Sequence, residues 1–166
     1  MENENQLKNK YVLVTGTNSG IGFQVAKDFL LQGAIVGAHY YGDKEGAEKL
    51  LEYGQCKIFS ADFSSSVEVM RLWEEFISWS SGKIDVLVNN AGDVGQAATL
   101  EELSEQAWDR AFQVNVKAPF LLSRAVLPIM SKQRFGRIIN ISSIGVKFGG
   151  SPTTLHYSAS KAALEA

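Results

Sequence analysis

Near the carboxyl end of the chain, Tyr157 and Lys161 stand four residues apart in the run Tyr157-Ser158-Ala159-Ser160-Lys161. On a helix, residues at that spacing share a face, so a phenol and an ammonium group would lie side by side. That pairing is a candidate proton donor and acceptor. Moving a phenol from its ordinary value near 10 to about 7 takes roughly 4 kcal/mol in favour of the phenolate. One cation at about 4 Å supplies about that much at an effective dielectric of about 20. A Tyr and a Lys at this spacing are by themselves more often a solvated helix face, so their meaning depends on the elements built around them.

Those elements alternate. Residues 11–15, Tyr-Val-Leu-Val-Thr, form a short apolar run rich in β-branched side chains, as expected of a strand buried on both faces. It breaks into Gly16-Thr17-Asn18-Ser19-Gly20-Ile21-Gly22, after which Ile21, Val25, Phe29 and Leu30 recur at helical spacing. A lone glycine pair reads as a turn. Between a strand and a helix, glycines also let backbone N–H groups approach a pyrophosphate at the helix N-terminus. Gly33 ends that helix, and residues 34–40 read as the second strand. Residues 46–53 read as a short helix, and Lys57-Ile58-Phe59 begins a third strand running to Asp62. Ser65 and Glu68 fit a capping box for a helix whose apolar stripe is Val67, Met70, Trp73, Phe76 and Ile77. Residues 84–88 form a fourth strand ending in Asn89-Asn90-Ala91-Gly92.

Residues 104–132 carry a helical pattern with a break expected before Asn115. Pro119 fits a first helical turn, whereas Pro128 is expected to kink the helix or mark its frayed end. Residues 136–143 read as a fifth strand ending in Ser142 and Ser143, and a glycine-rich loop, 145–154, leads to the helix of Tyr157. Strands and helices alternating at these lengths predict an α/β fold, a Rossmann-like doubly wound parallel sheet in one domain over residues 1–166. Ligands bind such sheets beyond the carboxyl ends of the strands, where residues 16–22, Asp62 and residues 89–92 all fall.

Composition narrows the classes of partner. The chain of 166 residues is 45% hydrophobic with a net charge of -2, which gives no overall basic footprint for nucleic acid or an anionic membrane surface. The polar start, residues 1–10, lacks the apolar core of a secretory signal, and the apolar stretch 119–130 is broken by Ser123 and Arg124. A cytoplasmic protein with no membrane partner is expected. Cys56 is the only cysteine and His39 and His156 are the only histidines, so no metal site is expected.

Taken together, residues 15–22, Asn89-Asn90-Ala91-Gly92, Asn115, Ser143 and Tyr157-x-x-x-Lys161 resemble the short-chain dehydrogenases/reductases, in that family's order and spacing from about Lys10 onward. The resemblance, similar in overall look to 3-oxoacyl-carrier-protein reductases and to bacterial sugar or alcohol dehydrogenases, implies an NAD(P)(H)-dependent oxidoreductase that interconverts a carbonyl and an alcohol. It implies Tyr157 as acid and base, and Lys161 as the cation that favours the phenolate and holds the nicotinamide ribose. Ser143 would hydrogen-bond the substrate oxygen, and Asn115 would hold a water in a proton relay. The plainer readings are a turn cap for Ser143 and a helix-break cap for Asn115. Ser142 reads as structural. For the cofactor, the resemblance implies Gly16, Asn18, Ser19, Gly20, Ile21, Gly22, Tyr40, Asp62, Asn90, Ala91 and Gly92, with Asp62 on the adenine amine, beside Tyr157 and Lys161.

The end of the second strand carries Tyr40 and Tyr41, with no carboxylate before Asp43, and Lys44 and His39 are near enough to attract a phosphate. NADP(H) is therefore expected over NAD(H), although Ser19 stands where NADP-preferring relatives often carry a base. The partners expected are a small carbonyl or alcohol and further copies of the chain, in a homodimer or homotetramer paired through long helices. The family's sheet continues with two more strands and a mobile substrate-covering segment, none of which is present in this sequence. More chain is expected past Ala166, because that residue falls in a helical pattern without a stop signal. Two other classes share the scaffold: a non-catalytic nucleotide-binding regulator, and a nucleotide-sugar epimerase or dehydratase, whose glycines are usually spaced differently.

Overall fold

The computed structural model describes residues 7–166. The polar lead before Leu7 lies outside the described residues. Five strands, β1 (Tyr11–Val14), β2 (Ile35–Tyr40), β3 (Cys56–Ser60), β4 (Val86–Asn89) and β5 (Arg137–Asn140), form one sheet in the order β3-β2-β1-β4-β5. Every pairing is parallel, with Val14 of β1 opposite Ala38 on one side and Val88 on the other. The chain runs outward from β1 to β3 and then returns to β4, so the strand order reverses between β1 and β4. That is the crevice in which such sheets hold ligands.

β1 is central because it is buried on both sides. Leu13 faces a core with Leu87, Phe76, Leu122 and Val126, whereas Val12 and Val14 face a second core with Ala26, Leu30, Val36 and Val88. Successive side chains of a strand point to opposite faces, so an unbroken apolar run needs a layer on each side. One layer is α1 (Gly20–Leu31), and the other is formed by α3 (Ser66–Trp79) and α5 (Ala118–Gln133). Lys10 and Asp85 tie the edge of this central pair: the carboxylate receives the Lys10 ammonium at 3.0 Å and the Tyr11 N–H at 2.8 Å.

Several boundaries differ from the sequence reading. The helix expected over residues 46–53 is a short α2 (Lys44–Glu48), capped by Asp43, followed by a tighter 3₁₀ turn over Lys49–Glu52. In α1 the inward residues are Gly22, Ala26 and Leu30, while Ile21 is 62% exposed at the helix mouth. In α3 the inward set is Val69, Leu72, Trp73 and Phe76, and Val67 is 80% exposed. The cause is the cap: Ser65 starts this helix, placing Val67 in an outward first turn. Ser65 Oγ accepts the Glu68 N–H at 3.4 Å, but the returning Glu68 carboxylate takes the N–H of Asp62 at 2.9 Å. The capping box is thus opened by three residues and holds the end of β3.

The expected break before Asn115 is a π-helical turn, Gln113–Lys117, joining α4 (Glu105–Phe112) to α5 without interruption. Pro119 sits in the first turn of α5, and the helix continues past Pro128 to Gln133. The loop expected over residues 145–154 contains a short α6 (Ile144–Phe148), and α7 spans Leu155–Glu165. Among the described residues, no helix is long and apolar enough to cross a membrane.

Phe76 is fully buried and packs edge to face on Phe59 and Trp79. Phe76→Ala is expected to lower unfolding free energy by about 3–5 kcal/mol, as measured by denaturant titration.

Candidate functional site

At the carboxyl ends of β1 and β4, one hydroxyl organises two loops. Thr15 Oγ1 donates to the Val88 carbonyl at 3.2 Å and accepts the N–H groups of Asn90 and Ala91, each at 3.0 Å. The Asn90 amide then donates to the carbonyls of Thr15 and Gly16 at 2.8 and 2.9 Å. Asn90 therefore faces back into the glycine loop and fixes its path. The close fit also accounts for two glycines. Gly16 has φ +70 and a side chain there would meet the Ala91 backbone at 2.8 Å, while one at Gly22 would lie 2.1 Å from the Gly16 carbonyl. Ser19 N-caps α1 by backbone conformation alone, and Gly20, at φ +58, opens onto free space.

His39, at the end of β2, supports this loop from below. Its Nδ1 accepts the Gly16 N–H at 3.2 Å, its Nε2 lies 3.0 Å from the Ala61 carbonyl, and its carbonyl receives the Thr17 N–H at 2.8 Å. A carbonyl only accepts, so the ring hydrogen is on Nε2 and Nδ1 is the acceptor. Stacking at 4.1 Å on Phe63 completes the burial. Burial pushes the imidazole down to about 4, against the opposing effect of the Ala61 bond. His39 is thus a neutral structural link, and the sequence-based expectation that it could attract a cofactor phosphate is corrected: the ring is buried without charge.

Beyond these loops lies a pocket of about 270 Å³ bordered by Gly16, Asn18, Tyr41, Asp62, Ala91 and Gly92. Tyr41, rather than the expected Tyr40, borders it. Asp62 lies below the usual carboxylate range: partial desolvation acts upward, but is outweighed by bonds from Ser64, the Tyr41 phenol and the charge of Arg110. The same bond to Asp62 is the main cause of the upward shift at Tyr41. Arg110, from α4, pairs through Nε with Asp93 at 2.6 Å and so joins the two carboxylates on this side of the pocket. A glycine-rich loop at the N-terminus of a twelve-residue helix with no acidic residue in its first turn, open at Gly20, fits a pyrophosphate-bridged dinucleotide.

The Tyr157 and Lys161 pair lies at the other end of the crevice. Lys161 is buried, its ammonium donates to the Ile141 carbonyl at 2.8 Å, and it stands 5.9 Å from the centre of the Tyr157 ring. Desolvation lowers the pKa of Lys161. Gly92 leaves room for it, since a side chain there would lie 3.3 Å from Nζ and 3.5 Å from Asn115 Oδ1. Asn115, fully buried in the π turn, accepts the Asp93 N–H at 2.8 Å and donates to the Asp93 carbonyl and Ser160 Oγ, both at 2.9 Å. Both amide hydrogens are used. A π turn inserts one residue into a helix and re-aims its side chains, which is how Asn115 reaches between the β4 loop and α7. Ser143 caps α6, its Oγ accepting the Gly145 N–H at 3.2 Å, which leaves its own hydrogen free to donate. Ser142 donates to Glu165 at 2.5 Å rather than to local backbone.

The sequence reading omitted Thr15, His39, Asp93 and Arg110 as organisers of the site. Thr15 opens the recognised glycine motif and Asp93 directly follows the asparagine motif, so position alone could have marked them. His39 and Arg110 carry no comparable local signal, because their partners lie 22 and 17 residues away.

A doubly wound parallel sheet with a glycine-rich loop at its switch point and a Tyr-Lys pair nearby has the architecture of a nucleotide-binding domain. The family profile described as short chain dehydrogenase matches residues 10–166. The chain is 37% identical over 160 residues to nodulation protein G of Rhizobium sp. (strain N33), covering 96% of this chain and 64% of that protein. It is 37% identical over 159 residues to the 3-oxoacyl-[acyl-carrier-protein] reductase FabG of Staphylococcus epidermidis, covering 93% of this chain and 64% of that protein. Among solved structures, the NADH-dependent reductase A1-R' complexed with NAD superposes with a TM-score of 0.86 at 31% identity, covering 94% of this chain and 68% of that one. The chain belongs to the short-chain dehydrogenase family. It spans just under two thirds of the length of the curated relatives it matches.

Because His39 binds a proton more weakly folded than unfolded, unfolding free energy should fall as pH drops from about 6.5 to about 4, by at most about 3 kcal/mol. Denaturant melts across that range should show this slope, and His39→Gln should lack it.

Proposed function

We propose that the chain carries the nucleotide-binding and proton-transfer half of an NAD(P)(H)-dependent oxidoreductase that interconverts a carbonyl and an alcohol. The observation that carries this reading is the buried Lys161 ammonium, held by Ile141 at 2.8 Å beside Tyr157 and Gly92, at the edge of a crevice shaped for a dinucleotide. A bound nicotinamide supplies or accepts the hydride at the carbonyl carbon. Tyr157 gives its phenolic proton to the carbonyl oxygen in reduction and takes it back in oxidation. Lys161 keeps a positive charge next to the phenol and favours its ionised form in the loaded site. Ser143, whose hydroxyl hydrogen is free, donates to the same oxygen and steadies the charge that develops there. Asn115 sets the position of Asp93 and α7, and the second lone pair of Oδ1 can accept from a water in a proton relay.

At the adenine end, Asp62 accepts from the exocyclic amine, with Tyr41 beside it and Gly16, Asn18, Ala91 and Gly92 giving backbone access. NADP(H) is the proposed preferred form. Its support is now narrower than the sequence suggested. Asp43 is turned to cap α2, its Oδ1 taking the Glu45 N–H at 3.0 Å, so one of its two oxygens is committed to the helix end. Lys44 pairs with Glu48 at 2.7 Å, but both side chains are largely exposed, and a pair of this kind is weak enough to exchange for a phosphate. His39 contributes nothing to this preference.

The proposed substrate is a small carbonyl on an acyl or alicyclic skeleton, in keeping with the likeness to FabG. The proposed assembly is a homodimer or homotetramer in the cytoplasm, with the exposed Phe120 and Leu127 of α5 among the residues covered.

Tyr157→Phe should reduce carbonyl-dependent NAD(P)H oxidation by about 100-fold or more while leaving the cofactor dissociation constant within about threefold. Full activity in that variant would reject the proton-transfer role. By fluorescence titration, NADPH should bind more tightly than NADH, and Lys44→Ala should narrow the difference; equal or reversed affinities would reject the NADP(H) preference.

A further inference from the structure

His156 precedes Tyr157 and is fully buried, yet the acid-base chemistry does not use it. Its Nε2 lies 2.9 Å from the Val94 carbonyl, and since that carbonyl can only accept, the ring hydrogen sits on Nε2 and donates. Its Nδ1 has no hydrogen-bond partner among the described residues. The one polar contact of this side chain is therefore directed at residues 93–98, the segment that leaves Gly92 and meets the first turn of α7.

Within that segment the Asp93 carboxylate takes the Gly95 N–H at 2.8 Å, and few other bonds hold it. Val94 is 46% exposed, and Gly95, Gln96 and Ala97 are exposed as well. Asp93 at its start is held by Asn115, and Ala98 at its end donates to the Thr153 carbonyl at 3.0 Å. Between these two anchors, the His156 bond is the contact that joins the segment to α7. Gly95 is shaped for it: φ is +68, and a side chain there would lie 3.0 Å from His156 Nε2. A segment with few buried contacts opens locally at low free-energy cost unless specific bonds hold it.

We propose that His156 is a positioning residue that staples residues 93–98 to the helix carrying Tyr157 and Lys161, and so sets the wall against which the carbonyl substrate packs. The proposal rests on the oxidoreductase reading given above. The imidazole touches neither substrate nor cofactor; it acts through the Val94 carbonyl. Its loss changes how well the substrate is held, more than the proton transfer itself or the binding of the dinucleotide at the far end of the crevice.

Two readouts on the same protein test it. Amide hydrogen exchange at residues 94–98 reports the staple without requiring turnover, and steady-state kinetics with a carbonyl panel reports the consequence. His156→Leu should speed exchange in that segment and raise KM, each by about tenfold, the scale of one lost hydrogen bond that leaves an acceptor unpaired. The expected kcat and cofactor dissociation constant stay within about threefold. His156→Gln, which retains a donor of similar reach, should restore most of both effects. Gly95→Ala attacks the same bond from the loop side and should reproduce the Leu phenotype, so the test survives if His156→Leu fails to fold. Unchanged exchange at 94–98, a Gln variant as impaired as Leu, or an equal fall in kcat and cofactor affinity would overturn the proposal. Wild-type protein that fails to oxidise NAD(P)H with every carbonyl of the panel would instead refute the oxidoreductase reading, and the positioning role would fall with it even if exchange showed the staple.

Discussion

The site depends on the junction between β1 and β4. Thr15 Oγ1 gives one hydrogen bond and takes two, which exhausts what a hydroxyl can do, and every partner belongs to β4 or the loop after it. The bond network is short-range, but its reach is wide. By fixing Asn90 and Ala91 it fixes Gly92, and Gly92 is where the Lys161 amine and the Asn115 amide come close together. The nucleotide cradle and the Tyr-Lys pair are thus placed relative to one another by the central strands rather than by the outer helices. Those strands are the most completely buried part of the molecule, with Val12, Leu13, Val14, Leu87 and Val88 at zero exposure. Rigid, well-packed elements hold functional groups more closely in place than loops do.

Around that junction, polar groups are paired in layers. His39 links the glycine loop to the end of β3 as a neutral ring, and Glu68 returns from α3 to the N–H of Asp62. Arg110 then spans from Asp93 toward Asp62. Two carboxylates border the pocket, and the guanidinium offsets their mutual repulsion. Buried Lys161 is the opposite case. Its ammonium is desolvated and held by a carbonyl, so the positive charge is kept within reach of Tyr157 at some cost to its protonated form.

The doubly wound parallel sheet was legible from the sequence because its central strands are continuous apolar runs alternating with helical patterns, whereas the order of the strands came only with the structure. The run at residues 11–15 predicts burial on both faces, and β1 is buried on both faces. Helix faces were less legible. Val67 and Ile21 match an apolar period, yet both are exposed, because the position of the cap decides which turn faces inward, and period alone does not fix that phase. The break at Asn115 was foreseen as a position but not as a form: a π turn has no composition of its own and arises when a packed side chain must be re-aimed. His39 was read as a free base near a phosphate site, whereas its partners Gly16 and Ala61 lie 23 and 22 residues away and only the sheet brings them to it.

Gly22 has a consequence that extends past the folded state of one molecule. The volume its absent side chain would occupy is already taken by the Gly16 carbonyl and the Asn90 amide, at 2.1 and 2.3 Å. Three positions, the outermost 74 residues apart in sequence, therefore share one small space. Drift at any of them is constrained by the other two, so in a lineage descended from this chain they should coevolve as a single unit, while exposed neighbours such as Ile21 are free to vary.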